Sequence, residues 1–142
     1  MNKPIILWAD DDPDDIAIIR DVLQDINSSF QLIAVPNGQK ALDYLQQVTQ
    51  SSSLPCLIVL DMNMPVLSGR DTLAILKKQP QYNNVPMVVF TTSNSPLDRL
   101  FCQCYHVEMF TKPTSYNALK EIIPKLLRLS SISSNHTCSP KP

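Results

Sequence analysis

Apolar residues along the chain fall into two alternating patterns. Five short runs, PIILWA (4–9), FQLIAV (30–35), CLIVL (56–60), PMVVF (86–90) and VEMFT (107–111), have strand length and are bounded by polar or turn residues. Between them apolar positions recur at helical spacing. Ile16, Ile19, Leu23 and Ile26 share one face, as do Ala41, Leu45 and Val48, while Leu119, Ile122, Ile123, Leu126 and Leu127 form the clearest stripe. Helix starts agree with these stripes. Asp12 then Pro13, and Ser95 then Pro96 with Asp98 three residues after the serine, read as a cap followed by proline at the first helical position. Asn37 and either Thr114 or Ser115 are the expected caps of the second and fifth helices.

Strand and helix thus alternate five times, which predicts an α/β fold: a doubly wound, five-stranded parallel sheet with right-handed crossovers and helices on both faces. The runs are apolar throughout, as strands covered on both sides should be. Pro124 interrupts the last stripe, where an interior proline costs about 3 kcal/mol, so a bend or broken turn is expected there. After Arg128 the chain reads LSSISSNHTCSPKP, a polar, serine-rich composition expected to form a flexible tail. The expected organisation is one domain over residues 1–128 and a tail over 129–142. Asn135-His136-Thr137 fits a glycosylation sequon, which is read as chance in a cytoplasmic chain.

Composition removes several function classes. A net charge of −1 with scattered lysines and arginines gives no footprint for nucleic acid. No apolar stretch reaches membrane-spanning length, and MNKPIILWADDD meets acid too early for a signal peptide. Cysteines 56, 102, 104 and 138 have no metal-ligand spacing and read as reduced thiols, so a cytoplasmic location is expected. Gly38 and Gly69 are the only glycines, which excludes a glycine-rich phosphate loop. Gly69 is expected to supply a backbone conformation that other residues resist.

The chemistry gathers at the ends of the apolar runs, where sheets of this class bind ligands. The first run gives Asp10, Asp11 and Asp12, the third Asp61, the fourth Thr91, Thr92 and Ser93, and the fifth Lys112. Where strand order reverses, the first and third strands lie side by side, so Asp10, Asp11 and Asp61 should converge. Two unit charges about 4 Å apart repel by about 4 kcal/mol at an effective dielectric of 20. Lys112 supplies a single positive charge, and a hard divalent cation with oxygen ligands, Mg2+ above all, completes the balance. Asp12, Asp14 and Asp15 have a simpler reading, as cap and first-turn acids favoured by the helix dipole.

Four stretches in this order, ILWADD, LIVLDMNMPVLSG (57–69), VVFTTSN (88–94) and FTKP (110–113), resemble a response regulator receiver domain of the CheY-like, single-domain type. The resemblance covers residues 3 to 128. It implies strand order 2-1-3-4-5 and a phosphoryl group accepted on Asp61 from a histidine kinase or histidine phosphotransfer protein. It further implies magnesium held by Asp11, Asp61 and the backbone carbonyl of Asn63, with Asp10 acting through a metal-bound water. Lys112, ahead of a cis bond to Pro113, would pair with the phosphoryl oxygens, and Thr91 would swing its hydroxyl onto them. Asn63 and Ser93, two residues beyond Asp61 and Thr91, would set the lifetime.

Departures bear on the readout. Met109 stands where many members carry an aromatic switch residue, and Phe110 should point to the opposite face of its strand. A glycine common before the fifth strand is replaced by Tyr105 or His106. The fourth helix, fifth strand and fifth helix often form the family's homodimer or output face. No DNA-binding or catalytic output domain follows, so the chain is expected to act as a stand-alone regulator through a downstream protein target, as regulators serving bacterial phytochromes or phosphorelays do. Three other readings compete. An aspartyl-nucleophile phosphatase or phosphotransferase would need a carboxylate at Asn63. A flavodoxin-like cofactor binder would need a hydroxyl or glycine loop where the aspartates stand. A degenerate receiver binding partners without phosphorylation would need to lack some of the site residues.

Overall fold

The computed structural model describes residues 3–27, 29–51 and 53–131. Its strands are β1 (Ile5–Ala9), β2 (Gln31–Val35), β3 (Leu57–Leu60), β4 (Met87–Thr91) and β5 (Glu108–Thr111), parallel and ordered β2-β1-β3-β4-β5. Helices α1 (Pro13–Ile26), α2 (Gly38–Thr49), α3 (Gly69–Lys77), α4 (Pro96–Cys104) and α5 (Tyr116–Leu127) alternate with them, and a 3-10 turn, Pro80–Tyr82, precedes β4. Each apolar run is a strand, with the ends displaced by no more than one residue. None of these helices is long and apolar enough to cross a membrane.

Strand alternation divides the core in two. Ile6 and Trp8 of β1 face a cluster built with Ile19, Val22 and Leu23 of α1 and Leu119, Ile123, Leu126 and Leu127 of α5. Leu7 and Ala9 face the other way, against Ala41 and Leu45 of α2, Leu73 and Leu76 of α3, and Cys102 of α4. Trp8 and Phe90 meet edge to face with ring centroids 5.6 Å apart, an arrangement that adds about 0.5–1.5 kcal/mol to the area they bury. Register places Ala9 opposite Leu60 and Thr91 opposite Thr111. The residues that follow, Asp10, Asp61 and Lys112, therefore leave the sheet at nearly one level.

Helix ends follow the capping signals. Asp12 accepts from Asp14 N, Asn37 from Lys40 N, Ser68 from Asp71 N, Ser95 from Leu97 N and Asp98 N, and Ser115 from Ala118 N. Of the two candidates for the fifth cap, Ser115 takes the role. Pro124 does not break α5, which runs through it to Leu127. The proline forfeits its own helical amide, and the loss is set against the burial of Ile123, Leu126 and Leu127 on either side of it.

Packing continues past the expected boundary at Arg128. Leu129 packs against the first core cluster, Ser130 is buried, and Ser131 N donates to Cys56 O at 2.9 Å. The rest of the expected tail, with the sequon and Cys138, lies outside the described residues. Cys56, Cys102 and Cys104 are free thiols, and burial pushes Cys56 up to about 11.

Candidate functional site

The sheet ladder extends one residue beyond the strands where the chemistry stands. Asp10 N donates to Val35 O at 3.0 Å, Asp61 N to Ala9 O at 3.0 Å, and Lys112 N to Thr91 O at 2.9 Å. These bonds fix the backbones of two acids and one lysine at the carboxyl edge. Asp10 and Asp61 are buried and Asp11 is exposed, yet one oxygen from each lies within 4.8 Å of the others. The three expected to converge do so.

Lys112 sits among them. Its Nζ donates to Asp10 Oδ2 at 2.6 Å, Asp15 Oδ2 at 2.9 Å and Asp61 Oδ2 at 3.0 Å. Burial alone would lower the ammonium's pKa, but hydrogen bonds to Asp10, Asp15 and Asp61 outweigh it and raise the pKa above its ordinary value. Burial raises Asp10, against the lowering effect of Lys112 and of the Asp12 amide. Four carboxyl groups, those of Asp10, Asp11, Asp15 and Asp61, thus gather around a single ammonium. Carboxylate oxygens on one open rim fit a hard divalent cation that retains part of its water shell.

The β3–α3 loop carries Asp61 into the site, and Gly69 lets it close. Gly69 N donates to Met62 O at 3.0 Å, and a Cβ on Gly69 would lie 1.9 Å from Asp61 O. Gly69 has no positive φ, so close backbone approach, rather than the conformational freedom expected from sequence, is what requires it. In the same loop Val66 has φ 67°, and Leu67 N donates to Pro65 O across it at 2.7 Å. A β-branched residue in that region is strained, and strain of this kind clusters at functional loops.

Asn63 follows on the exposed side, with its N–H donating to Asp61 Oδ1 at 3.4 Å. Thr91 is fully buried at the end of β4, and its hydroxyl oxygen accepts from Ser93 N at 3.2 Å. Ser93 in turn donates to Asp98 Oδ2 at 2.6 Å, and Asp98 pairs with Arg70 of α3. Met109 packs into the second core cluster, while Phe110 lies against the first, on the opposite face of β5. His106 takes the position before β5 with φ 58°, the left-handed conformation a glycine adopts at little cost. The Lys112–Pro113 bond is trans, since the described residues contain no cis peptide. This corrects the expected cis bond, and trans is the form an X–Pro bond favours by about 0.5–1 kcal/mol.

Asp15, Asp98 and Arg70 are the participants that sequence reasoning missed. Asp15 and Asp98 occupy first helical turns, where an acid already has a local explanation. Arg70 carries no local signal at all.

A model of the response regulator receiver domain matches residues 6–124. Response regulator Rcp1 of Synechocystis sp. is 34% identical over 112 residues, spanning 77% of this chain and 76% of Rcp1. Among solved structures, the phosphorylated cyanobacterial phytochrome response regulator RcpA aligns with a TM-score of 0.83 and 29% identity, covering 94% of this chain and 96% of that one. The Mn(2+)-bound form of Rcp1 aligns with a TM-score of 0.78 and 30% identity, covering 88% and 92% of the two chains.

Proposed function

Since the chain belongs to the response regulator receiver family of phosphorylation-based two-component signalling, we propose that it takes a phosphoryl group on Asp61 and thereby changes its binding to a downstream protein. The observation that carries this reading is the meeting of Asp10, Asp11, Asp61 and Lys112 at one edge of the sheet. Receiver domains interact with histidine kinases and downstream targets. The donor here is a phosphohistidine on a histidine kinase or a histidine phosphotransfer protein, met in the cytoplasm.

In the transfer, a carboxylate oxygen of Asp61 attacks phosphorus as the P–N bond breaks. The electron pair stays on the imidazole nitrogen, which takes a proton, and an acyl phosphate forms. Little covalent work falls to the protein, and alignment with charge neutralisation does most of it. Lys112, fixed by its backbone bond to Thr91 O, offers an ammonium to the phosphoryl oxygens. A divalent cation, Mg2+ in this proposal, would be held by Asp11, Asp61 and the Asn63 carbonyl, with Asp10 through water; it supplies positive charge to the transferring phosphoryl group. Thr91 turns its hydroxyl from Ser93 N toward the new oxygens, so occupancy is felt in the β4–α4 loop. Water later attacks the phosphorus, the acyl phosphate P–O bond breaks, and carboxylate and inorganic phosphate are restored. Asn63 and Ser93 would govern that water's approach. Met109, in place of an aromatic switch, leaves the signal to pass through this loop and the α4–β5–α5 face, through which a homodimer would also form.

The test is mass spectrometry after incubation with magnesium and acetyl phosphate. Wild type should gain one phosphoryl group and Asp61→Asn none. An undiminished gain in Asp61→Asn removes Asp61 as acceptor.

A further inference from the structure

Asp15 occupies the third position of α1 after the cap, Asp12. An acid there ordinarily folds back to accept from the cap's own backbone N–H. In this chain that N–H donates to Asp10 Oδ1 at 3.0 Å, so Asp15 is released from the local role. Its Oδ2 accepts instead from Lys112 Nζ at 2.9 Å. Of the lysine's carboxylate partners, Asp10 and Asp61 belong to the acid set that could hold a metal ion, and Asp15 does not.

That division matters once a divalent cation enters. Ammonium and cation repel each other and compete for the carboxylates of Asp10 and Asp61. Asp15 is the carboxylate to which the lysine can withdraw without leaving the site. Resting on the reading of this site as a metal-assisted phosphoryl acceptor, we propose that Asp15 is a positioning residue for Lys112. It draws the ammonium toward α1, clears Asp10 and Asp61 for the cation, and keeps the lysine beside the phosphoryl oxygens on Asp61. The Asp15 side chain is 36% exposed, so solvent weakens any direct effect of its charge on the metal, and its influence passes through Lys112.

Magnesium chloride titrated calorimetrically into wild type, Asp15→Asn, Lys112→Met and the double variant tests this. Asparagine keeps the shape of Asp15 and removes its charge. Heat of binding in wild type tests the metal reading alone, and its absence overturns that reading together with this inference. With binding present, Asp15→Asn should weaken it about tenfold beside Lys112, but by less than about twofold in the Lys112→Met background, as residues of one ion-pair network couple. Asp15→Glu should restore most of the affinity. Equal losses in both backgrounds, or no loss beside Lys112, overturn the proposal and leave Asp15 a helix-terminus acid. Should Lys112→Met fail to fold, the side-chain ammonium resonance of Lys112 decides. With magnesium bound it should persist in wild type and Asp15→Glu and broaden away by water exchange in Asp15→Asn; an unchanged resonance in Asp15→Asn overturns the proposal.

Discussion

The first turns of α1 and α4 carry the same lettering, cap–proline–x–aspartate: Asp12-Pro13-Asp14-Asp15 and Ser95-Pro96-Leu97-Asp98. In both, a side chain two residues upstream takes the cap's own amide, Asp10 for Asp12 at 3.0 Å and Ser93 for Ser95 at 3.3 Å. In both, the aspartate is thereby freed from the capping box and reaches across the fold to a cation. The outcomes then part. Asp15 takes Lys112, whose side chain is 10% exposed, and Asp98 takes Arg70, whose side chain is 43% exposed. One helix start contributes to the buried charge balance of the site. The other pins the β4–α4 loop to α3 through Ser93. The same local rule thus gives contacts of different weight, and burial of the cation decides which is heavier.

Removing the buried cation should break the comparison most visibly. Lys112→Met leaves Asp10 and Asp61 buried without their counter-charge, and loss of one partner of a buried pair costs about 3–5 kcal/mol. Urea unfolding in chelator should show that loss, and saturating magnesium should recover part of it by supplying charge to the same acids. A loss below about 1 kcal/mol would mean that the two buried acids do not depend on the lysine's charge. The pH dependence has a definite sign. The folded pKa of Lys112 is raised above its ordinary 10.5, so its contribution is full below that value and is lost as pH climbs through the folded pKa. The stability difference between wild type and Lys112→Met should therefore be constant toward neutral pH and shrink in the alkaline range.

Asp98→Ala should cost less. It removes a first-turn acid from α4 and strips a partner from Ser93 and from Arg70, changes worth together about 1–2 kcal/mol at a partly exposed position. Its urea midpoint should fall equally with and without magnesium. A magnesium-dependent loss would tie the α4 start to the acid site and erase the distinction between the two helix starts.

How much of this was legible in sequence follows from the range over which each bond is decided. Asp10, Asp61, Thr91 and Lys112 were readable because each follows an apolar run, and the parallel sheet brings run ends together. The caps were readable because Asp12, Asn37, Ser95 and Ser115 bond to amides within three residues. Asp15 and Asp98 were read correctly as first-turn acids, but their distant partners were not legible, because a first-turn acid already has a local explanation. Whether it folds back depends on which side chain reaches the cap amide first, and its alternative partner lies far away in the chain, Lys112 for Asp15 and Arg70 for Asp98. Gly69 was identified as special but for the wrong cause, because close approach to Asp61 O is a tertiary fact. Pro124 was expected to damage α5, but the loss of its amide is set against the burial of its neighbours.

The smallest effect belongs to the exposed cation. Arg70 pairs with Asp98 and lies over the Phe101 ring at 4.7 Å from its centroid. At its exposure the ion pair is worth at most about 1 kcal/mol, and the ring contact adds about 0.5–1 kcal/mol. Because Asp98 keeps its bond to Ser93 when the arginine is gone, Arg70→Ala should lower stability by about 1 kcal/mol, less than Asp98→Ala. Ionic strength separates it from the lysine. At 1 M salt the screening length is about 3 Å, shorter than the reach of an exposed pair, so the Arg70→Ala deficit should shrink toward the ring contact alone. The Lys112→Met deficit, set among the buried carboxylates of Asp10 and Asp61, is screened much less and should largely persist. Urea curves for both variants at low and high salt measure this directly. Equal salt sensitivity would show that the two cations sit in equivalent surroundings, and that burial is not what distinguishes the starts of α1 and α4.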